Sequence, residues 1–140
     1  MNRTSEYSLT IVVPVLNEED NIHNLEKALS GFIPHSKVPT CALFVDDGSK
    51  DGSLKLIQEV CSRNKDIFYI SFKKNAGLSA AIKAGFDNAF SEYVGYMDAD
   101  LQTTPDDFNL LLDGMKAHTL MTGYRANRKD TAFKRIQSKI

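Results

Sequence analysis

Apolar positions recur along the chain in two alternating rhythms. Residues Ser8–Val15 form a continuous apolar, β-branched run, which predicts a buried strand. Ile22, Leu25, Leu29 and Phe32 then fall on one face of a helix. Cys41–Val45 is a second short apolar strand. Leu54, Ile57, Val60 and Cys61 mark a second helix. Ile67–Phe72 predicts a third strand, and Leu78, Ala81, Ile82, Gly85, Phe86 and Ala89 a third helix. Tyr93–Met97 predicts a fourth strand. Thr104, Pro105 and Asp107 carry the residue types of a helix start, and Phe108, Leu111, Leu112 and Met115 the helix behind it. Thr119–Gly123 predicts a fifth strand. Phe133, Ile136 and Ile140 recur at helical spacing among Lys and Arg with no stop signal after them, so a helix cut by the chain end is expected there.

Continuous apolar strands joined by helices predict a doubly wound α/β domain whose mostly parallel sheet is covered on both faces. Ligands of such a sheet bind beyond the carboxyl ends of its strands. Every predicted strand end is polar or glycine-bearing. Pro14-Val15-Leu16-Asn17-Glu18-Glu19 follows the first, Asp46-Asp47-Gly48-Ser49 the second, and Lys73-Lys74-Asn75-Ala76-Gly77 the third. Asp98-Ala99-Asp100-Leu101-Gln102 follows the fourth, and Gly123-Tyr124-Arg125 the fifth. The first of these ends lacks the Gly-x-Gly-x-x-Gly of a dinucleotide site, and the acids of Asn17-Glu18-Glu19-Asp20 would repel a pyrophosphate. Asp98-x-Asp100, with Gln102 beyond it, offers hard oxygen atoms that suit Mg²⁺ or Mn²⁺. A cation there would bridge the phosphates of a nucleotide.

The 140 residues fit one domain, and 42% hydrophobic with 25% charged residues excludes a disordered chain, a coiled coil or a collagen-like repeat. The longest apolar run, Leu9–Leu16, is too short to span a bilayer. Cys41 and Cys61 form neither a disulfide framework nor a metal-type pair and read as small core residues, and a cytoplasmic setting is the default. His23, His35 and His118 show no ligand spacing, while Tyr93, Tyr96, Phe86 and Phe90 fall on expected core positions. The formal net charge of −1 hides a split: residues 121–140 hold six bases and one acid, against eleven bases and seventeen acids before them. That asymmetry points to an anionic partner at one end or to a basic, solvated helix face.

The motifs Val13-Pro14-Val15-Leu16-Asn17-Glu18-Glu19, Val45-Asp46-Asp47-Gly48-Ser49-x-Asp51-Gly52-Ser53, Asn75-x-Gly77 with Ala81 and Gly85, and Met97-Asp98-Ala99-Asp100-Leu101-Gln102 occur in one order. With Gly123-x-Arg125-x-x-Arg128-x-Asp130 they cover nearly the whole chain. In these motifs the chain resembles the family 2 glycosyltransferases of GT-A fold, and within them the dolichol-phosphate mannose synthases and undecaprenyl-phosphate glycosyltransferases. Thr103-Thr104-Pro105 departs from the family's more usual His-Pro or Asp-Pro segment.

The resemblance implies that residues 1–140 are the donor-binding part of a Rossmann-like GT-A domain whose acceptor-binding part is missing. It implies that Pro14, Asn17 and Glu18 line the base and ribose, and that Asp46 or Asp47 hydrogen-bonds the base. Gly77 would let the backbone approach the donor. Asp98 would contact ribose or metal, Asp100 and Gln102 would hold the metal, and Arg125 and Arg128 would face phosphate oxygens. The implied reaction is inverting transfer of a hexose from a UDP- or GDP-sugar to a polyprenyl phosphate or a saccharide hydroxyl, with Asp100 and Arg125 in catalytic roles, Mg²⁺ or Mn²⁺ as cofactor and no nucleic-acid partner. The full-length enzyme would work at the inner face of the membrane. Two rivals stand beside this reading. One is an inactive donor-binding fragment. The other is a phosphohydrolase of haloacid-dehalogenase type, whose Asp-x-Asp-x-Thr/Val motif is not matched, since Gln102 holds the fifth position.

Overall fold

The computed structural model describes residues 6–102, 104–114, 120–124 and 133–138, the last two segments as backbone. Among the described residues the strands and α-helices follow in order: β1 (Leu9–Val15), α1 (Ile22–Phe32), β2 (Thr40–Asp46), α2 (Ser53–Arg63), β3 (Ile67–Ser71), α3 (Leu78–Asp87), β4 (Tyr93–Tyr96), α4 (Asp107–Gly114), β5 (Leu120–Tyr124) and β6 (Phe133–Ser138). They build a six-stranded sheet of order β3-β2-β1-β4-β6-β5. β1, β2, β3 and β4 are mutually parallel, and β6 runs antiparallel to both of its neighbours. β5 therefore points the same way as β4.

β1 and β2 are apolar throughout because both faces of the sheet are covered. Leu9, Ile11, Val13 and Val15 face one layer, where Leu25, Leu29, Ile57 and Phe108 of α1, α2 and α4 pack. Val12, Leu43 and Val45 face the other, against Ala81 of α3 and Ala89. α3 lies so close to β1 that a Cβ on Gly85 would collide with the Val12 methyls. Thr10 is the polar exception inside β1. Its hydroxyl lies 2.7 Å from Ser91 Oγ, and Ser91 in turn donates to the Tyr93 carbonyl at 2.8 Å. The Thr10 hydroxyl therefore donates to Ser91, and the buried pair is satisfied. Burial pushes the Cys41 thiol up to about 12 and the Cys61 thiol up to about 11, so both remain inert thiols.

Pro14 occupies a central strand, where a missing N–H normally breaks a ladder. Residues of a parallel strand bond alternately to one neighbour and the other. Val15 O accepts from Asp47 N on the β2 side, and Val12 O accepts from Met97 N on the β4 side. Pro14 has the phase of Val12, so its nitrogen faces β4, beyond the last paired residues Val12 and Tyr96. The proline thus sits where β1 and β4 part. Strand order runs outward from this point in both directions, to β2 and β3 on one side and to β6 and β5 on the other, which makes it the topological switch point where a crevice forms.

Three expectations require correction. The helix expected over Phe133–Ile140 is a strand, β6, over Phe133–Ser138. Its apolar spacing is helical, but β4 and β5 each offer it an open edge, and ladder pairing overrides so weak a local pattern. The fourth helix begins at Asp107 and not at Pro105; Pro105 and Asp106 form the turn before it, their carbonyls accepting from Phe108 N and Asn109 N. Phe90 is 48% exposed and not a core residue, because it follows the end of α3 in the connection to β4. No helix among the described residues is long and apolar enough to cross a membrane.

Candidate functional site: an acidic cleft between β1 and β4

A cleft of about 260 Å³ opens at the switch point. Pro14, Val15 and Leu16 form one wall, Asp98, Ala99 and Asp100 the facing one, and Leu78 and Ala81 of α3 line the same cleft. Glu18 and Asp47 complete it. The lining is therefore aliphatic with four carboxylates. None of the four forms an ion pair with any described Lys, Arg or His.

Asp46 and Asp47, adjacent in sequence, have different environments. Asp46 ends β2 in register with Val15 and is 1% exposed. It accepts long bonds of 3.4 Å from Ser49 N and from Ser71 Oγ, and it does not line the cleft. Asp47 lies one residue beyond the strand and reaches the cleft. Its two oxygens accept from Ala76 N at 2.7 Å and Gly77 N at 3.0 Å, tying the β2 end to the start of α3. Gly77 makes this possible through its backbone, with φ 101° and ψ 159°, a region open essentially to glycine alone. A Cβ there would meet no atom within 4 Å, so conformation and not crowding demands the glycine.

Asn17 and Glu18 diverge in the same way. Asn17 has left-handed φ of 52°, and its amide oxygen accepts from Lys50 N at 2.8 Å. Glu18 lines the cleft and accepts from Asn21 Nδ2 at 2.8 Å. On the β4 side, Asp98 is half-buried. Desolvation, and then the charge of Asp100, holds its carboxyl above the usual range. Asp100 is exposed and accepts from Gln102 N at 3.1 Å across Leu101, whose φ is 59°. The Gln102 side chain is not among the cleft-lining groups. Arg125 and Arg128 lie outside the described residues, but β5 ends at Tyr124 on the carboxyl edge shared with β4.

A divalent cation fits this arrangement. Among the described residues no three acids, cysteines or histidines gather as a self-sufficient metal cage. Two carboxylates that repel one another at a cleft wall are what Mg²⁺ or Mn²⁺ needs when phosphates and water supply its remaining ligands.

Ser49, Asp51 and Ser53 were legible as motif members but not in their roles. Ser49 Oγ accepts from Asn17 N, Ser53 Oγ from Glu18 N, and Asp51 Oδ2 from Glu19 N. Leu16 and Leu78, 42% and 58% exposed, are the apolar lips of the cleft. Their signal was an apolar residue placed just outside a strand and at a helix start.

Known proteins resemble the chain in sequence and in fold. The sequence is 33% identical to an undecaprenyl-phosphate 4-deoxy-4-formamido-L-arabinose transferase of Pseudomonas fluorescens, over 96% of this chain and 40% of that protein. It is 36% identical to the uncharacterized glycosyltransferase YkcC of Bacillus subtilis, over 99% of this chain and 42% of that one. The chain thus spans about two-fifths of the length of these curated relatives. The fold matches the mannosyltransferase PcManGT of Pyrobaculum calidifontis, solved with GDP-Man and Mn²⁺. The TM-score is 0.73 at 16% identity, over 94% of this chain and 44% of that one. The family model for glycosyl transferase family 2 matches residues 10–139, so with its GT-A sheet and its acidic switch-point cleft the chain belongs to that family.

Proposed function

We propose that residues 1–140 form the donor-binding part of a glycosyltransferase that moves a hexose from a nucleotide-diphosphate sugar to a polyprenyl phosphate. The observation that carries this reading is the switch-point cleft with four carboxylates and no described cation to pair them. Such a site favours a ligand rich in hydroxyl and N–H donors that arrives with a divalent cation. A nucleoside diphosphate sugar fits both demands.

Pro14, Leu16, Leu78 and Ala81 give the base an apolar surface. Asp47 is the base-reading acid of the adjacent pair, because it alone reaches the cleft; Asp46 closes the strand end behind it. Glu18 and Asp98 face the ribose, and Asn17 supports that wall. Asp98 and Asp100 would hold Mg²⁺ or Mn²⁺, with Gln102 as an outer oxygen. When bound, the cation neutralises the charge that grows on the departing diphosphate. Gly77 and Asp47 fix the start of α3.

A polyprenyl phosphate is already anionic at neutral pH, so it needs cations to hold it beside the donor and no general base. Arg125 and Arg128 suit that task, because guanidinium binds phosphate bidentately. The names of the curated relatives support this acceptor class. The inner face of a membrane is the corresponding location, reached through parts of a longer protein.

Calorimetry of the chain with UDP, GDP and their sugars, with and without Mn²⁺, tests the proposal. Mn²⁺-dependent binding of one of them, lost in Asp100→Ala, is the expected result. Absence of binding by all of them, or binding that survives Asp100→Ala unchanged, overturns it.

A further inference from the structure

β1 and β2 stop pairing as strands at Val15 and Asp46, with one last rung from Asp47 N to Val15 O. The two chains do not separate there. Asn17 N donates to Ser49 Oγ at 2.9 Å, and Lys50 N donates back to Asn17 Oδ1 at 2.8 Å. Glu18 N donates to Ser53 Oγ at 2.8 Å. Glu19 N donates to Asp51 Oδ2 at 3.3 Å, and Gly52 N returns to Glu19 Oε2 at 3.0 Å. Side-chain oxygens from both loops thus replace the carbonyls of a ladder and carry it past the sheet.

Asn17 is the first member of this clasp and takes part in it through both its backbone and its side chain. Its left-handed φ of 52° is tolerated by asparagine far better than by most side chains. That turn lets its N–H and its Oδ1 address Ser49 and Lys50 together. Glu18, next in the clasp, and Asp47, two residues before Ser49, both line the cleft, whereas Asn17 does not.

We propose that Asn17 is a positioning residue: it extends the β1–β2 ladder as a side-chain clasp that holds Glu18 and Asp47 in one cleft, and it does not touch the bound nucleotide. The clasp is independent of the donor-site reading. Its consequence for nucleotide binding rests on that reading.

The test uses the full chain as wild type, Asn17→Gly, Ser49→Ala and the double variant. Asn17→Gly tolerates the left-handed backbone and removes the side chain with its amide oxygen. Amide exchange followed by NMR should quicken at both Lys50 and Glu18 by about fivefold in each single variant, the factor that corresponds to one modest hydrogen bond. The double variant should add little, since both changes open the same clasp. The Val13 amide, inside β1, should not change. Asn17→Asp, which keeps the acceptor oxygen, should preserve protection at Lys50. Unchanged exchange at Lys50 in Asn17→Gly overturns the proposal, as does acceleration confined to Lys50 with Glu18 untouched.

Binding of UDP or GDP with Mn²⁺ is the second readout. Each single variant should weaken it about fivefold, with little further loss in the double. Weak binding in Asn17→Gly alone, with Ser49→Ala harmless and the two effects additive, would mark a direct ligand contact and overturn the positioning role. If the wild-type chain binds no nucleotide, the donor-site reading fails and the exchange data still decide the clasp.

Discussion

The two edges of the sheet hold hollows of similar size and opposite chemistry. At the amino edge a hollow of about 220 Å³ is lined by Arg63, Asn64, Lys65 and Asp66 among others. Charges of both signs meet there. Arg63 donates two bonds of 2.7 Å to Glu26, Asn64 adds a third, Lys37 pairs with Asp113, and Tyr7 donates to Asp66 at 2.6 Å. At the carboxyl edge Glu18, Asp47, Asp98 and Asp100 face the cleft without a described cation. The partners of Glu18, Asp47 and Asp100 are backbone N–H groups and an asparagine amide. One edge mixes basic and acidic groups; the other gathers only acids. Cavity size alone would not separate the two, and the sign of the lining charge does.

Glycine substitutions should break this contrast most forcefully. Gly48, at the carboxyl edge, has φ +72°, and a Cβ there would collide with the backbone of Lys74 and Asn75. Gly48→Ala should cost about 3 kcal/mol in denaturant unfolding, the sum of left-handed strain and overpacking. Next in size is the removal of unpaired charge. Asp98→Asn should raise stability without divalent metal by about 1 kcal/mol, as replacement of strained functional groups commonly does, while abolishing any gain on adding Mn²⁺ with nucleotide. A thermal shift series with and without Mn²⁺ would show both, and a loss of stability in the metal-free variant would contradict the picture of uncompensated acids.

The smaller effects belong to the amino edge. Gly31 sits near the end of α1, and a Cβ added to it would meet nothing within 4 Å, so Gly31→Ala should stabilise by about 0.5–1 kcal/mol on helix propensity alone. Least of all should be the pH effect of Glu26. The Arg63 hydrogen bond holds its carboxyl below the usual range despite partial burial. Its contribution is therefore present above the unfolded pKa and fades as pH falls through the depressed folded one. Glu26→Gln should lower the melting temperature by a few degrees at neutral pH, and the wild-type and variant curves should converge in acid.

β1 and β2 were legible because burial on both faces leaves continuous apolar runs; β3 and β4, only partly buried, were legible from apolar and aromatic residues set between turn signals. The site was legible as a set of strand ends. Sequence could not choose between Asp46 and Asp47, since the choice depends on where β2 stops pairing with β1, and register is a property of two strands. The role of Asn17 was hidden for a similar reason: its partners Ser49 and Lys50 come from the next βα connection. β6 escaped because it is built by its neighbours. Phe133 and Ile136 are spaced for a helix, and only the open edges of β4 and β5 make a strand of them.

That last strand bears on how the molecule is assembled during synthesis. β6 is the last described strand, yet it lies between β4 and β5, and those two do not pair directly. A nascent chain can zip β3, β2, β1 and β4 together as they emerge, which completes the walls of the cleft. β5, made before β6, has no strand to pair with until β6 follows. The residues that line the cleft all precede β5 in the chain, so its walls are made before the last two described strands of the sheet.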